Sequence, residues 1–318
     1  MGESQISLRS RRTLVTGGAG FIGSHLVRAL VEAGARVRVL DNLSTGSLGS
    51  LAGLEGRIDF QEADIRNAVA CRTACAGADT VFHLAAYISV PGSLQDPVTS
   101  DAINIGGTLN LLLAARDAGA RRVVFSSSSA VYGNAEVLPI KEETPPNPLS
   151  PYGVEKVYGE QMCRVFSGCF GLETVALRYF NVYGPGQNPE SEYAAVIPRF
   201  LARVRAGQPP VIFGDGEQTR DFVHVEDVAR ANLLAATRPG ISGVALNVAS
   251  GRPTSLNELA RVIGRVMGSA VRPEHGPERP GDVRHSSGCP ERARHVLGFA
   301  ASRGLEAGLA QMARSAGF

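Results

Sequence analysis

The sequence predicts an α/β fold with a doubly wound parallel sheet. Short apolar segments alternate with longer amphipathic segments, the links between them are short, and a glycine-rich turn joins the first strand to the first helix. Continuous apolar runs are typical of strands that are buried on both faces. The predicted strands are 13–16, 35–40, 58–61, 80–84, 122–126 and 173–178, and the predicted helices are 21–33, 67–76, 103–118 and 152–170.

The pattern changes after residue 180, where Pro and Gly become frequent and a single late strand is predicted over 243–248. We expect this strand to return to the main sheet. The sequence therefore predicts a first domain of residues 1–180, to which 221–250 return. Residues 181–220 and 251–318 are predicted to form a smaller C-terminal α/β lobe.

The composition argues against several classes of protein. The 32 Lys and Arg residues against 30 Asp and Glu residues give a net charge of +2, which does not favour nucleic-acid binding. The five cysteines lack the spacing of a metal site or a disulfide framework. No segment reaches the roughly 18 apolar residues of a membrane span. We expect a cytoplasmic protein without a metal, a nucleic-acid partner or a membrane anchor.

The turn after the first strand carries Gly17, Gly20 and Gly23 in a GxxGxxG spacing, followed directly by a helix. Glycines there permit a tight turn and let the backbone approach a pyrophosphate. The helix N-terminus, at Phe21 and Ile22, offers free N–H groups to the phosphates. This turn predicts dinucleotide binding on a Rossmann-type sheet.

Two acidic residues extend this prediction. Asp41 ends the second strand 24 residues after Gly17, where a carboxylate accepts hydrogen bonds from both ribose hydroxyls and repels a 2′-phosphate. Asp64 closes the third strand and is placed beside the adenine. The predicted cofactor is therefore NAD rather than NADP.

A candidate catalytic group follows the fifth strand, where four serines occupy 126–129. Tyr152 and Lys156 are four residues apart and lie on one face of a predicted helix. A nearby ammonium is expected to lower the pKa of Tyr152 and so make it a base toward a sugar hydroxyl. Taken alone, the same residues are equally typical of a polar loop and a surface pair.

Taken together, the motifs resemble the extended short-chain dehydrogenases/reductases of the nucleotide-sugar epimerase and dehydratase group. The resemblance covers about residues 12–300 and rests on TGGAGFIG, DNLSTG, SPYGVEK, RYFNVYGP and GDGEQTRDF. It implies bound NAD and a catalytic set of Ser128, Tyr152 and Lys156. It further implies contacts with NAD from Asn42, Ile65, Ala85 and Asn104, and with the UDP half of a nucleotide sugar from Asn181, Arg220, Arg279 and Asp282.

Departures from related groups narrow the activity that the resemblance implies. Dehydratases carry an acidic pair where this chain has Ser129 and Ala130. Glucuronate-specific members have Thr at the position of Asn181 and Arg at that of Asn188. The UDP-hexose 4-epimerases, which oxidise C4 transiently, let the 4-keto sugar rotate and then reduce it again, fit best.

The choice of sugar depends on the space around C2. Ser286 aligns with a bulky aromatic residue of glucose-only epimerases, and Ser129 or Ser89 is placed to bond an acetamido group. A stretch typical of members that act on N-acetylated sugars adds Gln187, Ala195 and Val196. We expect interconversion of UDP-GlcNAc and UDP-GalNAc, together with that of UDP-Glc and UDP-Gal.

Two other functions stay open at this stage. One is a UDP-glucuronate 4-epimerase or decarboxylase, and the other is a non-catalytic NAD-binding regulatory module. The resemblance also implies a homodimer, formed by the helix of Tyr152 and the helix predicted over 103–118.

Overall fold

The computed structural model describes residues 7–188, 195–270, 272–278 and 283–315. Its strands in chain order are β1 (Arg12–Thr16), β2 (Arg36–Asp41), β3 (Ile58–Glu62), β4 (Thr80–His83), β5 (Arg122–Ser128), β6 (Glu173–Tyr179), β7 (Asn181–Tyr183), β8 (Val211–Phe213), β9 (Thr219–His224), β10 (Val244–Val248), β11 (Pro253–Ser255) and β12 (Glu274–Gly276). Its helices are α1 (Phe21–Glu32), α2 (Ala68–Cys75), α3 (Val90–Gln95), α4 (Pro97–Asp101), α5 (Thr108–Asp117), α6 (Pro151–Phe170), α7 (Val196–Arg205), α8 (Val225–Thr237), α9 (Leu256–Val266), α10 (Glu291–Leu297) and α11 (Leu305–Ser315).

A seven-stranded sheet in the order β10-β6-β5-β4-β1-β2-β3 forms the centre of the protein, and every neighbouring pair is parallel. The predicted fold class is thereby confirmed. The direction of winding reverses between β1 and β4, and in such sheets the ligand crevice lies at this reversal, outside the carboxyl ends of the strands.

Helices cover both faces of this sheet, as the alternation of side chains along each strand requires. On β1, for example, Val15 packs in the core under α1 and α8, whereas Leu14 packs in the core under α2, α5 and α6. Both residues are fully buried. Since successive side chains of a strand point to opposite faces, this alternation explains why the strands read as continuous apolar runs.

A second lobe is built on smaller sheets. One has the order β11-β9-β7, and the other pairs β12 with β8. Helices α7, α9 and α11 enclose a separate core with residues such as Phe200, Leu259 and Leu309. The late strand β10 lies outside this lobe and pairs with β6.

Two local features differ from the sequence-based expectation. The helix predicted over 103–118 begins as a π-helical turn, Ala102–Gly107, before α5. Helices α3 and α4 were not predicted. Each has a proline in its first turn, where the missing N–H costs no intrahelical bond. Within the described ranges, no helix combines the length and apolar character that crossing a bilayer demands.

Candidate active site

The glycine-rich turn between β1 and α1 is compact enough to require glycine. Gly17 has φ +70°, and a Cβ there would lie 2.7 Å from the backbone nitrogen of Ala85. A Cβ on Gly23 would collide with the carbonyl oxygen of Gly17. Gly17 and Gly23 therefore let the start of α1 lie against the ends of β1 and β4.

The same turn is open to an anionic ligand. Gly20 caps α1 without a side chain, so no side-chain oxygen occupies the first N–H groups, at Phe21 and Ile22. At the end of β2, Asp41 accepts hydrogen bonds from the backbone nitrogens of Ala19 (2.9 Å) and Leu43 (2.8 Å). Free N–H groups beside a buried carboxylate fit the pyrophosphate and ribose of a dinucleotide.

Asp64 lies just after the end of β3, and Arg66 holds its carboxylate. Its carboxylate accepts from both Nε and the terminal guanidinium of Arg66, and from Nδ2 of Asn42 at 2.9 Å. These hydrogen bonds hold the pKa of Asp64 at about 2. The adjacent Ile65 is buried, and its carbonyl accepts from Asn110. Asp64 and Asn42 thus form one polar edge at the ends of β2 and β3.

The proposed catalytic residues meet at the carboxyl end of β5. Ser150 caps α6 through a 3.2 Å hydrogen bond from the Gly153 nitrogen, which sets the helix start next to Tyr152. The Ser128 side chain lies close enough to the Tyr152 hydroxyl to favour its ionised form. Lys156 donates from Nζ to the carbonyl oxygen of Ser126 at 2.9 Å. The structure therefore brings Ser128, Tyr152 and Lys156 together.

One electrostatic expectation was wrong. The pKa of Tyr152 is raised to about 12, because burial of its hydroxyl outweighs the stabilising influence of the Ser128 side chain. Lys156 Nζ lies 5.6 Å from the centre of the Tyr152 ring and is committed to the Ser126 carbonyl. Burial also lowers the pKa of Lys156 itself, to about 8. In the protein alone, the ammonium does not activate the phenol.

The segment after β4 carries two further predicted residues and is fastened by a third. Ala85 donates its N–H to the Thr16 hydroxyl, and Ser89 caps α3 by accepting from the Gly92 nitrogen. Asn104 was predicted to contact NAD. Its carboxamide binds both backbone groups of Tyr87, accepting at 2.8 Å and donating at 3.0 Å, and its contact with NAD stays a prediction. The structure places Asn104 as the residue that orients this segment.

Five of the predicted substrate residues line one cavity of about 260 Å³ in the second lobe. These are Asn181, Gln187, Ala195, Val196 and Arg220. The sequence analysis missed the aromatic and apolar part of the lining, for example Phe213 and Phe222. No spacing in the sequence connects the residues that line the cavity, because they come from β7, β8, β9, α7 and the start of α9.

The remaining predicted substrate residues lie elsewhere. Ser129 begins a short 3₁₀ turn, Ser129–Tyr132, directly after Ser128 and is half-buried. Ser286 is also half-buried, and its N–H donates to the Thr219 carbonyl at 3.1 Å, beside β9. It does not line the cavity. Arg279 and Asp282 lie outside the described residues.

The sequence analysis also missed two buried carboxylates on α6. Glu155 and Glu160 are only 3% and 6% exposed, and both are within one turn of Lys156. The spacing 152, 156, 160 places Glu160 on the same helix face as Tyr152 and Lys156, a signal that the sequence contains. Glu155 carries no such signal, because a charged residue next to Lys is most often solvated.

A dinucleotide turn, a helix that presents Tyr and Lys to a strand-end Ser, and a cavity in the second lobe define the architecture of a dinucleotide-dependent short-chain dehydrogenase/reductase. The model of the NAD dependent epimerase/dehydratase family matches residues 13–249. The chain belongs to this family, and it is an NAD-dependent enzyme of the isomerase class.

Several similar proteins carry the name of an epimerase, and the similarity extends over nearly the whole length of each of them. The UDP-glucose 4-epimerase of Mycolicibacterium smegmatis is 41% identical over 304 residues, which cover 94% of this chain and 96% of that protein. The UDP-N-acetylglucosamine 4-epimerase of Methanobrevibacter ruminantium, solved with UDP-N-acetylmuramic acid, superposes with a TM-score of 0.93 at 38% identity, covering 96% of this chain and 98% of that one. The UDP-glucose 4-epimerase of Thermotoga maritima, solved with UDP-glucose, gives a TM-score of 0.91 at 38% identity, with the same coverage.

Proposed function

We propose that the protein is an NAD-dependent UDP-hexose 4-epimerase that interconverts UDP-GlcNAc and UDP-GalNAc and also UDP-Glc and UDP-Gal. The observation that carries the proposal is the convergence of Ser128, Tyr152 and Lys156 at the edge of the sheet that also bears the dinucleotide turn, where Lys156 Nζ lies 2.9 Å from the Ser126 carbonyl oxygen and 5.6 Å from the centre of the Tyr152 ring. A phenol at that position is suited to exchange a proton with a sugar hydroxyl. The names of the relatives support the same activity.

Bound NAD, held by the glycine-rich turn and by Asp41, would supply the hydride acceptor and donor for C4 of the hexose. The residues of the chain remove the hydroxyl proton and orient the sugar. Tyr152 takes the proton of the C4 hydroxyl, and Ser128 holds the same oxygen by a hydrogen bond. Lys156, whose ammonium is fixed on the Ser126 carbonyl, adds positive charge beside both groups.

Burial raises the pKa of Tyr152 to about 12, so additional positive charge is needed before Tyr152 acts as a base near neutral pH. The oxidised cofactor, when bound, would supply charge of this sign. In the protein alone, the raised pKa keeps Tyr152 protonated near neutral pH.

The second lobe is proposed to hold the UDP half while the hexose turns. Arg220 and Arg279 are assigned to the diphosphate, since a guanidinium suits phosphate oxygens, and the aromatic lining of the cavity suits a base. Asn181 and Asp282 are proposed as further contacts with the UDP half. In this division, residues 1–180 and 221–250 hold NAD, and residues 181–220 and 251–318 hold the UDP-sugar.

The small side chains near the hexose support acceptance of an N-acetyl group. Ser129 and Ala130 supply no acid for a dehydratase step, and Ser286 is a small, half-buried residue. Ser89 and Ser129 are the proposed partners of the acetamido group. In this proposal, a substrate with a bulky C2 substituent would meet small side chains and hydroxyl groups at these positions.

A panel of UDP-sugars, incubated with the NAD-loaded protein and followed by chromatography, tests the proposal. We expect each member of the two epimer pairs to yield its partner. Conversion of UDP-glucuronate alone, with or without loss of CO₂, would replace the proposed substrates. Binding of NAD without turnover of any sugar would instead indicate a regulatory module.

The proposed quaternary state is a homodimer through α6 and the helix that precedes β5. Val154 and Val165 lie on one face of α6 and are 51% and 45% exposed. Light scattering coupled to gel filtration distinguishes the dimer from a monomer. The five cysteines are all free thiols, which supports the proposed cytoplasmic location.

A further inference from the structure

Glu155 is a buried carboxylate between the two proposed catalytic residues of α6. One of its oxygens, Oε2, accepts two hydrogen bonds: from the Ser100 hydroxyl at 2.7 Å and from Nδ2 of Asn104 at 2.6 Å. Both donors are neutral. Among the described residues, no Lys or Arg forms an ion pair with Glu155. A buried negative charge is thus kept next to the site without a cation in direct contact.

The hydrogen bonds of Glu155 lead to the segment after β4. Asn104 lies in the π-helical turn, and its carboxamide binds the N–H and the carbonyl of Tyr87. Its Nδ2 group has two hydrogens, of which one goes to Tyr87 and the other to Glu155. Glu155 therefore fixes which way the Asn104 amide faces. Through Asn104 it fixes a segment that includes Ala85 and Ser89.

The charge of Glu155 also acts on its neighbours along α6. The other carboxylate near Lys156 is Glu160, and the Arg178 guanidinium neutralises it through a two-pronged contact at 2.8 and 2.7 Å. The groups that face Lys156 from β4 and β5 are uncharged: the Ser126 carbonyl, the Phe125 ring, and His83, whose burial lowers its pKa to about 3. Glu155 is thus the carboxylate left to balance Lys156.

We propose that Glu155 is a positioning residue of the reaction, whose carboxylate aligns α6 with the 84–89 segment through Asn104 and supplies the counter-charge of Lys156. The proposal rests on the proposed function for its catalytic part. Its structural part concerns the NAD site and holds for any reaction carried out there.

Glu155→Gln separates the two roles. The amide oxygen of Gln accepts both hydrogen bonds, while the charge is lost. Glu155 raises the pKa of both Tyr152 and Lys156, so its neutralisation lowers both. In a plot of kcat/KM against pH, the rising limb is set by the Tyr152 base and the falling limb by the Lys156 ammonium. Both limbs then move in the same direction. We expect the profile of kcat/KM against pH to shift by about half to one pH unit toward acid, with NAD affinity within twofold of wild type.

Two further variants remove the hydrogen bonds. Glu155→Ala leaves Ser100 and Asn104 without their acceptor, and we expect NAD binding, measured by titration calorimetry, to weaken about tenfold. Asn104→Ala keeps the charge and removes the link to Tyr87, so NAD binding weakens while the position of the pH profile stays. The exposed Glu136→Gln serves as the matched control for loss of one carboxylate and should change neither quantity.

Specific results would overturn the proposal. If the pH profile of Glu155→Gln superposes on that of wild type, the counter-charge role is excluded. If Glu155→Ala and Asn104→Ala bind NAD as wild type does, the alignment role is excluded. If wild type itself converts no UDP-sugar, the proposed function fails, but the NAD titrations still test the alignment role.

Discussion

Strands β5 and β6 carry charged contacts at both ends, and the two ends differ in depth and in partners. At the amino end, Arg122 contacts Glu173, whose side chain is 35% exposed, and also donates to two backbone carbonyls at the end of α8. At the carboxyl end, the side chains of Arg178 and Glu160 are 7% and 4% exposed, and the Glu160 carboxylate also accepts from Ser127, the neighbour of Ser128. The amino end fastens the sheet to a helix, whereas the carboxyl end supports the site.

This difference shows what each charge contributes. A pair with one exposed partner adds little electrostatic stability because water screens it. A buried pair gains little over an apolar pair, yet breaking it is costly because one charge is left uncompensated. Arg178 also donates to the Tyr132 hydroxyl at 2.7 Å, so its loss would disturb several elements around the site at once.

The largest effect on turnover is expected from Tyr152→Phe. This change removes the proposed base at the carboxyl end of the strands and keeps the aromatic ring. Turnover should fall by about 10²–10⁴-fold, the usual contribution of a general base. Binding of NAD and of UDP-sugar should persist, which calorimetric titration of the variant would verify. Turnover close to that of wild type would show that the chemistry at this end does not depend on Tyr152.

The next effect compares the two ends directly. Arg178→Met leaves Glu160 buried and unpaired, and should lower the free energy of unfolding by about 3–5 kcal/mol. Arg122→Met should cost about 1–3 kcal/mol, with kcat of the folded enzyme unchanged, since it lies at the opposite end. Denaturant unfolding and steady-state kinetics measure both quantities.

A milder change covers the case in which Arg178→Met does not fold. Arg178→Lys keeps the charge and loses the two-pronged contact with Glu160. We expect a smaller loss of stability and a lower kcat. If Arg178→Lys and Arg122→Met have the same kinetic profile, the contrast between the two ends of the strands is not functional.

The smallest effect concerns the second lobe. Ser286→Tyr should lower kcat/KM for UDP-GlcNAc and UDP-GalNAc about tenfold more than for UDP-Glc and UDP-Gal, since an aromatic ring fills space in a close-packed site. The ratio of the two values is decisive, because a general loss of stability affects both alike. Ser286→Ala is the control. A constant ratio in a folded, NAD-loaded variant would remove Ser286 as the residue that sets sugar size.

The sequence predicts the first half of the molecule better than the second. Tyr152 and Lys156 are placed correctly because helical spacing alone puts them on one face, and the glycine turn because its geometry is local. The sign of the pKa shift of Tyr152 was wrong because the sequence contains no measure of burial. The aromatic lining of the cavity was missed because Phe213 and Phe222 meet only through tertiary packing.

The position of β10 has a consequence for the synthesis of the chain. Strand β10 is the outer neighbour of β6, and it is encoded about 65 residues after β6 ends, behind much of the second lobe. While the nascent chain emerges from the ribosome, β6 keeps a row of unpaired backbone groups until residue 248 is released. Such an edge is a template for association between chains. A fragment that stops at residue 180 would carry this edge permanently, so truncation there should yield an aggregating polypeptide.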